Sequence, residues 1–125
     1  KELVPYVDAN FPTKANPKSR AITGLSMGGH GGLYLAIRHS DVFGAAGSTS
    51  GGFDFRPFPK SWNLPNILGE YETNKARWYD YTVMRQVELL TNKQLAIIFD
   101  CGVDDIFITV NRALHEKLLA KAKSQ

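Results

Sequence analysis

Hydrophobic and polar positions along this chain change period several times, and the changes mark out its elements. Leu3, Val4, Val7 and Phe11 recur at roughly helical spacing until Pro12 and Asn16-Pro17 break it. That pattern predicts a short helix over about residues 1–10 and a loop after it. Arg20-Ala21-Ile22-Thr23-Gly24-Leu25 is a short, partly apolar run that leads directly into Ser26-Met27-Gly28-Gly29-His30-Gly31-Gly32 and the helical spacing Leu33, Ala36, Ile37. Strand, sharp turn and helix is the arrangement this predicts. Asp41-Val42-Phe43 then precedes a run of small residues, 44–50, suited to a buried strand that ends at Gly51-Gly52.

Residues 53–92 interleave Phe53, Phe55, Phe58, Trp62, Tyr71, Trp78, Tyr79 and Tyr81 with Pro57, Pro59 and Pro65, without a sustained period. They read as an excursion with short helices, one of them near 83–90. The continuous apolar run in Lys93-Gln94-Leu95-Ala96-Ile97-Ile98-Phe99-Asp100 predicts a parallel strand buried on both faces. Residues 101–105 form the turn after it. From Thr109 to Lys121, Val110, Ala113, Leu114, Leu118 and Leu119 make an apolar stripe opposite Arg112, Glu116, Lys117 and Lys121, which predicts a closing amphipathic helix. Alternating helices and apolar strands define the α/β class with a mostly parallel sheet, and 125 residues suit one domain.

Composition narrows the functional classes. Fifteen lysines and arginines against twelve acids give a net charge of +3 without a basic block, which is no footprint for nucleic acid. Hydrophobic residues at 43% and charged residues at 22% are globular values. Apolar runs such as 95–99 fall far short of the ~20 residues of a membrane span. The chain opens on Lys1 with no leader pattern, so it is expected to be processed or a piece of something longer. A single cysteine, Cys101, leaves no internal disulfide and no cysteine-based metal cluster, and it leaves the compartment undecided between cytoplasm and export.

Gly24-Leu25-Ser26-Met27-Gly28 fits G-x-S-x-G, the nucleophile elbow, in which a serine sits on a strained strand-to-helix turn and flanking glycines let the backbone bend. The bare pattern arises by chance in about 4% of chains of this length, so its weight comes from the strand before it and the glycine-rich helix start after it. The alternative is a tight glycine-rich turn that only packs or holds a phosphate. An attacking serine needs donors for the developing oxyanion, and the Met27 N–H at the helix N-terminus is one. The second would come from a loop after an earlier strand, before Lys1. Such a serine also needs a base oriented by a carboxylate, in chain order serine, acid, histidine. Asp104 and Asp105 both follow the apolar strand, with Asp105 preferred and a solvated turn or helix cap as the alternative. Asp100, inside the strand, is expected to be buried and hydrogen-bonded. His115 lies mid-helix and His30 one turn into the elbow helix, where packing or capping is expected. His39 closes that helix, so no histidine suits the role. Cys101 reads as a small packing residue. The aromatic excursion could shape an acyl or aromatic substrate pocket with Gly52 and Phe53, at the carboxyl end of a strand, as its start, although core packing is the commoner fate of aromatics such as Trp62 and Trp78.

The stretch Gly24–Gly32 resembles the elbow of the putative esterase family of α/β-hydrolases. That family takes in esterase D-type S-formylglutathione hydrolases, tributyrin esterases, feruloyl and acetyl-xylan esterases and mycolyltransferases. Phe43-Gly44-Ala45-Ala46, Ser50-Gly51-Gly52, residues 100–107 and residues 111–118 are similar to further family segments. The resemblance implies a partial α/β-hydrolase fold over 1–125, with the elbow at 24–28, the excursion at about 53–92 and the acid loop at 101–107. It makes Ser26 the nucleophile, Met27 N–H an oxyanion donor and Asp105 the triad acid, while His30 and His115 match positions without a catalytic role. The family's histidine lies in a glycine-containing loop after one further strand, so the chain is expected to lack it, together with the early strands that carry the second donor. The implied parent is a serine carboxylesterase acting on short acyl or aromatic acyl esters, small or polysaccharide-linked, through an acyl-enzyme. No metal or organic cofactor is implied, and oligomeric state is left open. Acyl transfer, S-acylglutathione thioester hydrolysis or a non-catalytic binding domain are the alternatives on the same fold.

Overall fold

A computed structural model describes residues 1–91 and 94–124, so the Lys93 end of the predicted strand and the last residue of the predicted excursion lie outside the described residues. Helix α1 (Leu3–Asn10) is followed by strand β1 (Ala21–Leu25), helix α2 (Met27–Arg38) and strand β2 (Ala45–Thr49). Within the excursion lie α3 (Leu64–Leu68), α4 (Lys75–Asp80) and α5 (Val83–Leu89), and the chain continues through β3 (Ala96–Asp100) into α6 (Ile108–Lys123). The three strands form one parallel sheet in the order β1-β2-β3, with Ile22, Ala46 and Ile97 in one row and Leu25, Thr49 and Asp100 in the last. All three carboxyl ends therefore meet at one edge, where loops of different sequence origin become neighbours.

Alternation along the strands sends Ile22, Ala46, Ile97 and Phe99 into a core with Leu33, Ala36 and Ile37 of α2, Val83 and Val87 of α5 and Leu114 and Leu118 of α6. The opposite face carries Leu25 and Ile98, the latter 75% exposed. This corrects the expectation of a strand buried on both faces. Among the described residues, the helices that join the core cover one face only, and the apolar run at 95–99 alternates in its surroundings despite its uniform composition. Asp100 belongs to the same outward row and is exposed rather than buried. At the amino edge, Arg20 ties α1 to the sheet by pairing with Asp8 at 2.7 Å and donating to the Val42 carbonyl at 2.6 Å.

The excursion builds a second core from Phe55, Leu64, Leu68 and Trp78, with Tyr71 packed against it. The Trp78 indole N–H donates to the Gly69 carbonyl at 2.8 Å, which satisfies its polar end inside that core. Thr82 caps α5, its hydroxyl accepting from the Arg85 N–H at 3.1 Å. Three helices are then joined by Glu88 of α5, which accepts from Lys117 Nζ of α6 at 2.5 Å, from Arg85 at 2.7 Å and from the Tyr79 hydroxyl of α4.

These donors, Lys117 first and Tyr79 next, hold the Glu88 carboxyl at about 2, well below the usual carboxylate range. A depressed folded-state value contributes stability that is fully present above the ordinary value and is lost as pH falls from there towards the folded one. Glu88→Gln is therefore expected to lower Tm by about 2 °C at pH 7, a modest shift because the group is partly exposed. The difference from the parent should shrink steadily between about pH 4.5 and pH 2. Thermal melts across that range check it; a deficit unchanged at the lowest pH would show that Glu88 acts by packing.

Candidate active site

Ser26 sits between the last residue of β1 and the first of α2 with φ 58° and ψ −111°, a left-handed conformation that costs a non-glycine residue about 1–3 kcal/mol. The surroundings hold it there: its N–H donates to the Thr49 carbonyl at 2.9 Å, and its carbonyl accepts the His30 N–H at 3.1 Å as the first bond of the helix. Its side chain is left exposed at the carboxyl edge of the sheet. Met27 opens α2, so its N–H belongs to the first turn, whose donors have no partner within the helix.

Two glycines permit this turn by close approach. A Cβ on Gly24 would stand 2.3 Å from the Gly28 carbonyl carbon and oxygen, so the strand and the helix start touch backbone to backbone. A Cβ on Gly29 would stand 2.3 Å from Ser48 Oγ and 3.0 Å from Gly51 Cα, which lets α2 lie against β2 and the turn after it. Gly28, by contrast, faces open space. Of the two motif glycines, only Gly24 is required here for room for a side chain, and the equivalent constraint on the helix side falls on Gly29, outside the five-residue pattern.

The loop after β2 is also strained, with Ser50 at φ 51° and its N–H bound to the Asp100 carbonyl at 2.8 Å. Gly52 N–H returns to the Ser26 carbonyl at 3.4 Å. After β3, Asp105 forms a turn in which one carboxylate oxygen accepts the Phe107 N–H at 2.8 Å. The Phe107 ring lies over Gly52, within 3.4 Å of where a Cβ there would sit. The serine turn, the glycine turn and the acid loop thus come together at one edge of the sheet.

They enclose a small cavity of about 70 Å³ lined by Ser26, Met27, Gly52, Asp54, Phe55, Trp62, Leu64 and Phe107. Gly52 is at its wall. Phe53 is not: its side chain is 0% exposed and meets Phe99 edge to face in the main core. Trp62 supplies an aromatic wall instead, stacked obliquely on Phe58 at 5.1 Å and Phe107 at 5.4 Å. Trp62 and Asn63 are consecutive left-handed residues, at φ 52° and 61°. Asp54 is the cavity's carboxylate, and Arg56 holds it through Nε and Nη2 at 2.9 and 2.7 Å while stacking over the Tyr79 ring at 4.4 Å. Residue order singles out none of Asp54, Leu64 and Phe107 as lining, since they share no period, and it leaves the excursion's aromatics, Phe55 and Trp62 among them, between core and pocket.

The His30 backbone bonds to Ser26, but the histidine rings make their contacts elsewhere. His30 directs Nε2 to the Tyr81 carbonyl at 2.9 Å and packs between Tyr34 and Phe55, and burial pushes its imidazole below the ordinary histidine range. His39 caps the far end of α2, and His115 is exposed on α6. Burial, with Asp105 nearby, raises the Cys101 thiol above its usual value, which disfavours the thiolate a nucleophile would need.

The parallel sheet with helices packed on it and a strand–turn–helix at Ser26 has the α/β-hydrolase fold. The chain belongs to the family described as "Putative esterase", which it matches across residues 1–125. It is 28% identical to the S-formylglutathione hydrolase of Mus musculus over 119 residues, covering 95% of this chain and 41% of that protein. Over 51 residues it is 47% identical to an endo-1,4-beta-xylanase/feruloyl esterase of Xylanibacter ruminicola, 41% of this chain and 7% of that one. Among solved structures, the S-formylglutathione hydrolase of Staphylococcus aureus superposes with a TM-score of 0.78 at 20% identity, covering 97% of this chain and 50% of the other. A fluorophosphonate-binding serine hydrolase of the same species gives 0.72 at 25% identity, covering 95% and 49%. The chain spans about two fifths of the length of its S-formylglutathione hydrolase relatives.

Proposed function

We propose that this chain is the central part of the catalytic domain of a serine carboxylesterase that cleaves short acyl esters through an acyl-enzyme, with a small-molecule or polysaccharide-linked alcohol as leaving group. Ser26 carries the reading: an exposed serine held at φ 58° on a strand-to-helix turn, on the wall of a mostly apolar cavity. A hydroxyl so placed projects from the sheet edge with a helix N-terminus behind it. Ser26 Oγ attacks the substrate carbonyl carbon and gives its proton to a base, and the carbonyl oxygen takes the negative charge beside the Met27 N–H, assisted by the helix dipole. The tetrahedral centre collapses, the C–O bond to the alcohol breaks, and the alcohol leaves with the proton. Water then repeats the sequence on the acyl-serine and releases the acid. Asp105, its rotamer held by the Phe107 N–H, orients the base and stabilises it when protonated. The three histidines here are engaged or positioned elsewhere, so the base, like the second oxyanion donor, comes from outside residues 1–125.

Cavity size supports the short-acyl form of this reading. An apolar cavity of about 150 Å³ admits benzene, and the 70 Å³ beside Ser26 suits an acyl group of a few carbons. The feruloyl esterase relative favours a second form, aromatic acyl groups, which would require the Trp62 ring to swing outward. Acyl-length profiling of the full-length protein with p-nitrophenyl esters tests the choice. Acetate and propionate should be the best substrates, with benzoate about 10-fold poorer in kcat/KM, as expected for 1–2 kcal/mol of misfit. A preference for long chains would overturn the short-acyl reading, and a preference for aromatic acids would move the assignment to the second form.

A further inference from the structure

Asn111 lies in the first turns of α6, is 4% exposed, and touches none of the cavity's open surface. Asparagine is an unfavourable choice for a buried helix interior, where its amide must find partners or lose its hydration. Here one amide nitrogen, Nδ2, donates twice: to the Gly51 carbonyl at 3.0 Å, across 60 residues of sequence, and to the Phe107 carbonyl at 2.9 Å within its own helix. Each end of this bridge leads to the candidate site. Phe107 gives its N–H to the Asp105 carboxylate at 2.8 Å, and Gly51 is followed by Gly52, whose N–H reaches the Ser26 carbonyl at 3.4 Å. The Phe107 ring closes the same circuit by lying over Gly52.

We infer that Asn111 is a positioning residue, whose amide sets the spacing between the serine turn and the acid loop by tying Gly51 to Phe107. The inference rests on the esterase reading above. Helix α6 packs on the core through Leu114 and Leu118, contacts that are apolar and tolerate small sliding. The Asn111 bridge is directional and sits at the helix end nearest the site, so it specifies where the acid loop stops relative to the loop after β2. Loss of the bridge would leave both loops present but free to move by fractions of an ångström, and displacement on that scale lowers turnover without removing any reacting group.

The test is made in the full-length esterase with p-nitrophenyl acetate. Asn111→Ala removes both donors. Asn111→Ser is the milder variant, because a serine hydroxyl in a helix bonds back to the carbonyl four residues earlier, here Phe107, and cannot also span to Gly51. Both should lower kcat by about 10- to 100-fold with KM within about twofold. Leu114→Ala, one turn further along α6 and equally buried, is the control for packing: it should lower Tm with kcat nearly unchanged. Should Asn111→Ala fail to fold, Asn111→Ser decides alone. Parent-like kcat in Asn111→Ser, or equal kcat losses in Asn111→Ser and Leu114→Ala, would overturn the inference. Ser26→Ala in the same series separates the two levels: residual turnover there at the parent rate would remove the esterase reading itself, whereas a dead Ser26→Ala beside a normal Asn111→Ser removes only the role of Asn111.

Discussion

Ser26→Ala, made in the full-length protein, is expected to lower kcat for p-nitrophenyl acetate by about 10⁶, the scale of losing the nucleophile of a serine triad. Covalent labelling by a fluorophosphonate should disappear with it, since that reagent traps an activated serine hydroxyl. The effect on folding should be small or favourable. Alanine at φ 58° is no better accommodated than serine, but the turn is held by backbone bonds from Thr49 and His30 that the substitution leaves in place. A variant with unchanged Tm and undetectable turnover is the expected pair of results. The chain 1–125 by itself should behave like this variant, with no Ser26-dependent turnover, since the proposed base and second oxyanion donor are contributed from elsewhere. Activity in the isolated chain that vanishes on Ser26→Ala would show that one of His30, His39 or His115 serves as base after all. Parent-like activity in the full-length Ser26→Ala would remove the mechanism altogether.

Asp105→Asn should cost about 10⁴ in kcat, following the behaviour of triads whose acid is replaced by its amide. An asparagine can still accept the Phe107 N–H through its amide oxygen, so the loop geometry should survive. What it cannot supply is the negative charge that stabilises the protonated base, and its amide can favour the wrong tautomer. Asp104→Asn is the comparison. Asp104 is exposed on the same turn, and its substitution should leave kcat within about twofold. If the two variants exchanged their effects, the acid would be Asp104, which the residue order alone left as an alternative. Equal and small effects would mean that the carboxylate lies in another part of the protein.

Much of this arrangement is legible along the chain because local physics fixes it locally. The switch from a short apolar run to glycines and then to Leu33, Ala36 and Ile37 can only be strand, turn and helix, and the observed bounds of β1 and α2 fall within a residue or two of that reading. The stripe at 109–121 becomes α6 for the same reason. The excursion is legible only as an interruption. Its aromatic residues divide between a buried cluster around Trp78 and the cavity wall at Trp62, and that division depends on which backbone turn each occupies, not on residue type.

The sequence by itself determined the α/β class, the strained serine with its close-packed Gly24, and the presence of two acids after the last strand, because each depends on side-chain period or backbone room within a few residues. Only the tertiary structure decided that Ile98 and Asp100 face outward, that Phe53 fills the core while Trp62 and Asp54 line the cavity, and that Asn111 joins Gly51 to Phe107. Those facts depend on which helices lie across the sheet and on parallel pairing that brings residues 26, 52 and 105 to a single edge. Contacts that span 60 residues of chain leave no mark in a local pattern.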